Sequence, residues 1–245
     1  MEQQGTKGIC RLSVIAMRDL PKSDAKMCSQ LLFGEHYEVL ESEGDYVKIK
    51  LSFDESQGWI SVAQHTLISE DYFNQVNDSD YKVCTEVSGT IFFQKKNAHI
   101  LLGSVLPITT NELFKMEEQV AYNGDSKSLS QKREFEFMKG IIKHYMHAPY
   151  LSGGKTPFGI DEAGLIQQVF KICGYRLPRT LADQAKAGKE IAVFGKFTPF
   201  LDFKSPPTIV FTTTSLSLSV ETTSNNNLPS STKICSPTFT SFGKC

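Results

Sequence analysis

The sequence predicts an α+β protein in which small β-barrels come first and a helical unit follows. Three observations carry this. Residues 8–67 alternate apolar and polar side chains in short runs, residues 82–124 repeat that texture more loosely, and from Phe135 onward apolar residues recur at spacings of three and four. The 245 residues are 40% apolar, enough for a core, and 26 Lys+Arg nearly cancel 27 Asp+Glu. With no basic block longer than Lys95–Lys96, the charge pattern excludes a nucleic-acid binder that relies on phosphate neutralisation.

In chain order, ICRLSVI alternates, LLFGEHYEVL carries a Gly turn, YVKIKLSF alternates again and GWI closes the run, so a first β-barrel is expected over 8–70. VSGTIFF, AHILLGSVLPI and EEQVAYNG form a second β unit over 80–125. A polar break, Ser126–Ser130, separates it from Phe135, Met138, Ile141, Ile142 and Tyr145, one face of an amphipathic helix that Pro149 should end. The Gly-containing loop YLSGGKTPFGID leads into AGLIQQVFKICGY, a second helix closed by Gly174. Asp161 stands at its N-cap and Glu162 in its first turn, where a carboxylate suits the helix dipole. A third helix is expected at Leu181–Ala187. These helices place a third unit over 130–203. Residues 204–245 are rich in Ser and Thr with four charged residues, and poor order is expected there apart from strands near 208–211 and 216–220.

Cys10, Cys28, Cys84, Cys173, Cys235 and Cys245 show no CxxC pair or metal spacing, which points to reduced thiols, no metal and no cofactor. Cys173, spaced with Val169 and Phe170, reads as core, as does Trp59. The start MEQQGTKG lacks an apolar signal region and no run of about 18 apolar residues occurs, so no membrane partner and a cytoplasmic location are expected. All five histidines (36, 65, 99, 144, 147) precede residue 148, and nothing indicates an oligomeric state.

The stretch HAPYLSGGKTPFGIDEAGLIQQVFKICGYRLPRT resembles the NlpC/P60 family of cysteine peptidases, whose pattern runs PYLWGGxSPxGIDCSGFxQxVF and then LPRD. The domain order is similar to that of γ-D-glutamyl-L-diamino acid endopeptidases, in which bacterial SH3 (SH3b) modules precede the peptidase domain. Residues 8–67 are similar to an SH3b module at Leu12–Arg18, Gly34-Glu35 and Gly58-Trp59-Ile60. The resemblance implies N-terminal SH3-like β-barrels followed by a papain-like domain, here incomplete. It also implies a chemistry: a thiolate activated at a helix N-terminus, a His base, and a cell-wall peptide stem whose free amine is bound by an Asp and a Tyr. Those two map onto Asp161 and Tyr150, with Gly153 and Gly154 lining the same pocket. Asp161 has a plain N-cap role as the alternative, and for the other three the alternative is simply to fix the loop.

The departures are specific. Glu162 occupies the nucleophile position, Ala163 removes the neighbouring hydroxyl, Ser152 replaces the family Trp, and Thr180 stands where LPRD has an Asp. A carboxylate is a far weaker nucleophile towards an amide than a thiolate. After Thr198-Pro199 no His follows, so the base is missing as well; His144 and His147 read as exposed helical side chains rather than a displaced base. Two explanations of the tail stay open, a degenerate paralogue and a disrupted reading frame. The functional expectation is an inactive homologue of a murein-peptide endopeptidase that keeps some peptide binding. An active hydrolase of the same family and a scaffold acting through its SH3b barrels are the alternatives.

Overall fold

The structure, a computed structural model, describes residues 5–93, 96–106 and 120–187, together with the backbone of strand segments 200–201, 208–212 and 215–221. Seven strands open the chain: β1 (Lys7–Ile9), β2 (Val14–Arg18), β3 (Met27–Leu32), β4 (His36–Glu43), β5 (Tyr46–Leu51), β6 (Gln57–Ser61) and β7 (Leu67–Ile68). They form one antiparallel sheet in the order β3-β2-β6-β5-β4-β1-β7. The period-two alternation decides which side chains go inward. On β5, Val47, Ile49 and Leu51 are buried while Tyr46, Lys48 and Lys50 face outward. With Ile15, Met17, Leu31, Tyr37, Val39 and Ile60 they make the first core.

Helix α1 (Glu70–Asp78) fills the interval between the two expected β units. Ser69 caps it by accepting from the Tyr72 N–H (3.2 Å), and Glu70 and Asp71 sit in the first turn. Its apolar residues are few, which hides it from a periodicity reading, yet Tyr72 and Val76, four apart, pack on Ile9, Tyr81 and Val105.

The second β unit comprises β8 (Lys82–Cys84), β9 (Ser88–Phe93), β10 (Lys96–Leu101), β11 (Val105–Leu106), β12 (Val120–Asn123) and β13 (Ser126–Ser128). They pair as two three-stranded antiparallel sheets, β10-β9-β12 and β11-β8-β13. Strand β13 lies in the expected polar break; its backbone pairs with β8 although its side chains are polar. Phe33 from the first sheet is buried in this second core, and its carbonyl accepts from the Val105 N–H (2.8 Å), so the two β units are joined by backbone as well as by packing.

Helix α2 (Phe135–Lys143) ends before Pro149, with His144 as its C-cap and His147 at a positive φ of 66° in the turn that follows. The loop then forms the short hairpin β14 (Lys155–Thr156) and β15 (Gly159–Ile160) and enters α3 (Glu162–Ile172). As the sequence predicts, Gly174 terminates α3: at φ 88° it donates to the Lys171 carbonyl (3.0 Å) while Tyr175 donates to that of Phe170 (2.9 Å). Helix α4 (Leu181–Ala187) follows at the expected residues. Beyond it, β16 (Phe200–Leu201), β17 (Thr208–Thr212) and β18 (Ser215–Glu221) pair antiparallel, the last two where strands are expected. The rest of the 204–245 tail lies outside the described residues. The architecture is α+β, as predicted.

Every residue of α3 after Glu162 is buried, so this helix has no solvent face. One side packs through Leu165, Ile166, Val169 and Phe170 on Met138, Ile141 and Tyr145. The other side carries Gln167, Gln168 and Lys171, and buried polar groups need partners. The first sheet provides several. Gln167 donates to Asp54 (2.7 Å), and Arg176, just past the helix, donates to the Ser52 carbonyl (3.1 Å). Lys171 Nζ lies 2.7 Å from Glu35 Oε1, and Lys155 Nζ reaches the same oxygen at 3.2 Å. All three ionic side chains are at most 2% exposed.

Burial alone would push the Glu35 carboxyl up, but the two ammonium groups and the Leu32 N–H overcome it and hold its pKa at about 2. One carboxylate shared by two lysines is not enough for both, and desolvation pulls Lys171 below its usual range despite Glu35. Replacing Glu35 by Gln would strand two buried ammonium groups and is expected to destabilise the protein by roughly 3–5 kcal/mol, read from chemical unfolding. Because the folded-state value is depressed, the stability from Glu35 is complete above its ordinary value of 4.5 and disappears as pH falls through about 2. Unfolding midpoints measured from pH 6 to pH 2 should therefore fall less steeply in Glu35→Gln than in the parent chain.

Candidate functional site

The site expected from the sequence lies where the hairpin loop meets the start of α3. Its local structure follows from backbone bonds: Leu151 donates to Ile160 (3.0 Å), Ile160 to Pro149 (3.1 Å) and Gly154 to Leu151 (2.9 Å), which folds 149–160 back on itself. Two glycines permit the close approaches this requires. Gly153 has a φ of 81°, and a side chain there would also meet the Met27 carbonyl of β3. A Cβ on Gly154 would collide with the Gly159 carbonyl across the hairpin.

Asp161 organises the centre. Its Oδ1 accepts from the Gly164 N–H (2.7 Å) as the N-cap of α3, while Oδ2 accepts from the Gly153 N–H (2.8 Å) and from Arg179 (2.8 Å). Arg179 also reaches Ser29 Oγ on β3 (3.2 Å) and the Gly154 carbonyl (3.4 Å). One carboxylate and one guanidinium thus tie together the loop, the helix start, the LPRT segment and the first sheet. Gln30 of β3 adds a bond to the Lys155 N–H (2.7 Å).

The four residues expected to bind substrate are brought to one region with unequal freedom. Asp161 is mostly enclosed and already holds three donors; Gly153 and Gly154 are buried; Tyr150 is 70% exposed. Glu162, the residue in the nucleophile position, begins α3 half-buried and has no hydrogen bond or ion pair among the described residues. Its carboxylate stands at the N-terminal end of the helix, where a negative charge complements the dipole. Ser152 and Thr180 are exposed, and Thr180 accepts from the Asp183 N–H (3.2 Å), so it serves as a cap at the start of α4.

The described thiols are shifted away from the thiolate. Cys10, Cys28, Cys84 and Cys173 are free, and burial pushes each thiol up, Cys10 and Cys173 to about 12. A nucleophilic cysteine needs the opposite shift. Among the histidines, His36 and His65 are engaged with Asn77 and Tyr37, and His99, His144 and His147 are exposed. Among the described residues, no group of three or more His, Cys, Asp or Glu side chains could hold a metal ion, and no helix is long and apolar enough to cross a membrane. This arrangement can recognise a polar or cationic group, and burial shifts each of the four described thiols away from the thiolate. Cys235, Cys245 and the segment 188–199 lie outside the described residues.

Neither the Glu35, Lys155 and Lys171 cluster nor the bonds of Arg179 to Asp161 and Ser29 are part of the sequence expectation. Lys171, flanked by Phe170 and Ile172 in an apolar helix, is the signal that could have revealed a buried charge.

Residues 17–64 match the family model of the bacterial dipeptidyl-peptidase SH3 domain. The chain is 26% identical over 188 residues to a gamma-D-glutamyl-L-lysine dipeptidyl-peptidase of Bacillus subtilis (strain 168), covering 69% of this chain. It spans 61% of that relative's length. An NlpC/P60 family protein from Bacillus cereus ATCC 10987 superposes with a TM-score of 0.63 at 14% identity, covering 86% of this chain and 89% of the other. An NlpC/P60 endopeptidase from Photobacterium damselae subsp. piscicida gives a TM-score of 0.60 at 20% identity, covering 76% and 47%. The likeness read from the 148–188 block therefore stands: the chain has the NlpC/P60 fold with an N-terminal SH3 domain.

Substituting Asp161 by Ala removes the helix cap and leaves Arg179 without its carboxylate. A loss of about 2–4 kcal/mol in unfolding free energy is expected, against a few tenths for Glu162→Ala, which breaks no described bond. Native-state alkylation followed by peptide mapping should leave Cys10, Cys84 and Cys173 unmodified at pH 7.5 under conditions that label them in denaturant.

Proposed function

We propose that this chain is a catalytically inactive relative of the cell-wall γ-D-glutamyl endopeptidases that binds a murein-type peptide stem without cutting it. The observation that carries this reading is Glu162: the first residue of α3, where the family nucleophile would stand, is a carboxylate, while burial raises each described thiol. An acid in that place is a poor nucleophile towards an amide but a good partner for an ammonium group. The peptide's free amine would be held by Glu162 with Asp161, whose carboxylate has about one acceptor position left after its three bonds. Exposed Tyr150 would lie along the stem, and Gly153 and Gly154 keep the loop low enough for it to approach. β3 backs the site by holding the loop through Gln30, which accepts from the Lys155 N–H, and Arg179 through Ser29.

A reading in which the barrels alone bind a partner has less support, since the Glu35 turn and β3 are already occupied by the hairpin and α3.

The test is to incubate the purified chain with an L-Ala-γ-D-Glu-diamino acid peptide and to follow cleavage and heat of binding separately. No product and a measurable association are expected, with Glu162→Ala weakening association about 10–150-fold, the scale of one charge-assisted hydrogen bond. Cleavage that Glu162→Ala abolishes would sink the proposal.

A further inference from the structure

His36 adjoins Glu35 on β4, is 4% exposed, and contacts the helix that joins the two β units. Its Nε2 lies 2.7 Å from Asn77 Oδ1 in the last turn of α1, which places the neutral ring's proton on that nitrogen. Phe73 of α1 meets the ring edge-on with centroids 5.3 Å apart, and Tyr81 does so at 6.3 Å. Asn77, Phe73 and Tyr81 thus connect α1 and the residues after it to one imidazole.

The charges around the ring are unbalanced. Glu35 attracts a second proton, but it is already shared by Lys155 and Lys171, and Lys171 and Arg176 oppose a cation at His36. Tyr81 is neutral, its hydroxyl pushed up to about 12 by burial. On the far side of Phe73, Lys7 Nζ stands 5.0 Å from that ring while paired with Glu38 (3.0 Å). Desolvation is the largest influence on the imidazole and lowers its pKa, with Asn77 and Glu35 opposing and Lys171 and Arg176 adding to it.

We propose that His36 is an acid-operated latch on α1: uptake of a second proton by the enclosed ring detaches the helix from β4 and loosens the join between the two β units. The direction follows from linkage. A buried histidine with a depressed folded-state pKa leaves stability intact above its ordinary value of 6.5, and stability falls as pH drops below it, because the unfolded chain takes the proton first. The proposal does not depend on the peptide-binding reading.

Hydrogen exchange of the full chain at pH 7.5 and pH 5.5, corrected for intrinsic chemistry, tests it. Peptides covering 70–78 should exchange about 3-fold faster or more at pH 5.5, the scale of a fractional pKa difference expressed as local opening. His36→Gln should remove the acceleration, and His65→Gln should leave it. Should His36→Gln fail to fold, Asn77→Asp decides: a carboxylate beside the ring favours the imidazolium and should keep α1 docked at pH 5.5. Equal corrected rates in the parent chain overturn the latch. So does acceleration that survives in a folded His36→Gln or in Asn77→Asp, or that vanishes in His65→Gln.

Discussion

A single buried carboxylate holds this molecule's parts in register. Glu35 belongs to the turn between β3 and β4, while the ammonium groups it meets come from the hairpin before α3 and from the last turn of α3 itself. Ion pairs of this kind contribute little net stability compared with a well-packed apolar contact, because desolvation offsets attraction. What they do strongly is penalise misplacement. If α3 shifted by a turn or the hairpin slid along β3, an uncompensated charge would be left in a region without water. The apolar contacts of α3 with α2 would tolerate such a slip far better, since Leu, Ile and Val surfaces interchange.

The electrostatic constraint explains how the candidate site is held. Asp161 and Arg179 bond to each other and to four backbone or side-chain groups drawn from the loop, the helix and β3. The loop's backbone bonds fold it back on itself, and a carboxylate at its end and a guanidinium beyond α3 fasten it to the helix and to β3. The SH3-like sheet acts as a wall rather than as an appendage.

How much of this could be read beforehand differs by element. The strands of the first sheet, α3 with its Asp161 cap and Gly174 stop, and α4 follow from local patterns, and the family likeness of the 148–188 block came with them. Helix α1 did not, because three apolar residues in nine, Tyr72, Phe73 and Val76, are too few for a stripe; tertiary packing of Tyr72 and Val76 makes it a helix. The early end of α2 also escaped, since a proline marks where a helix cannot continue and not where it stops. In the site, Asp161 and Tyr150 are visible as matches to a motif and Glu162 as a substitution within it. Arg179 and the Glu35 cluster are not, because their partners lie 18 to 150 residues away along the chain.

Glu162 makes none of the bonds that shape its surroundings. The cap belongs to Asp161, the loop anchor to Gly153, the cross-brace to Arg179, and position 162 simply projects from the first turn they create. Foldability and reactivity are therefore selected at different residues. Position 162 can change its chemistry without disturbing the cap, the anchor or the brace that shape the loop around it.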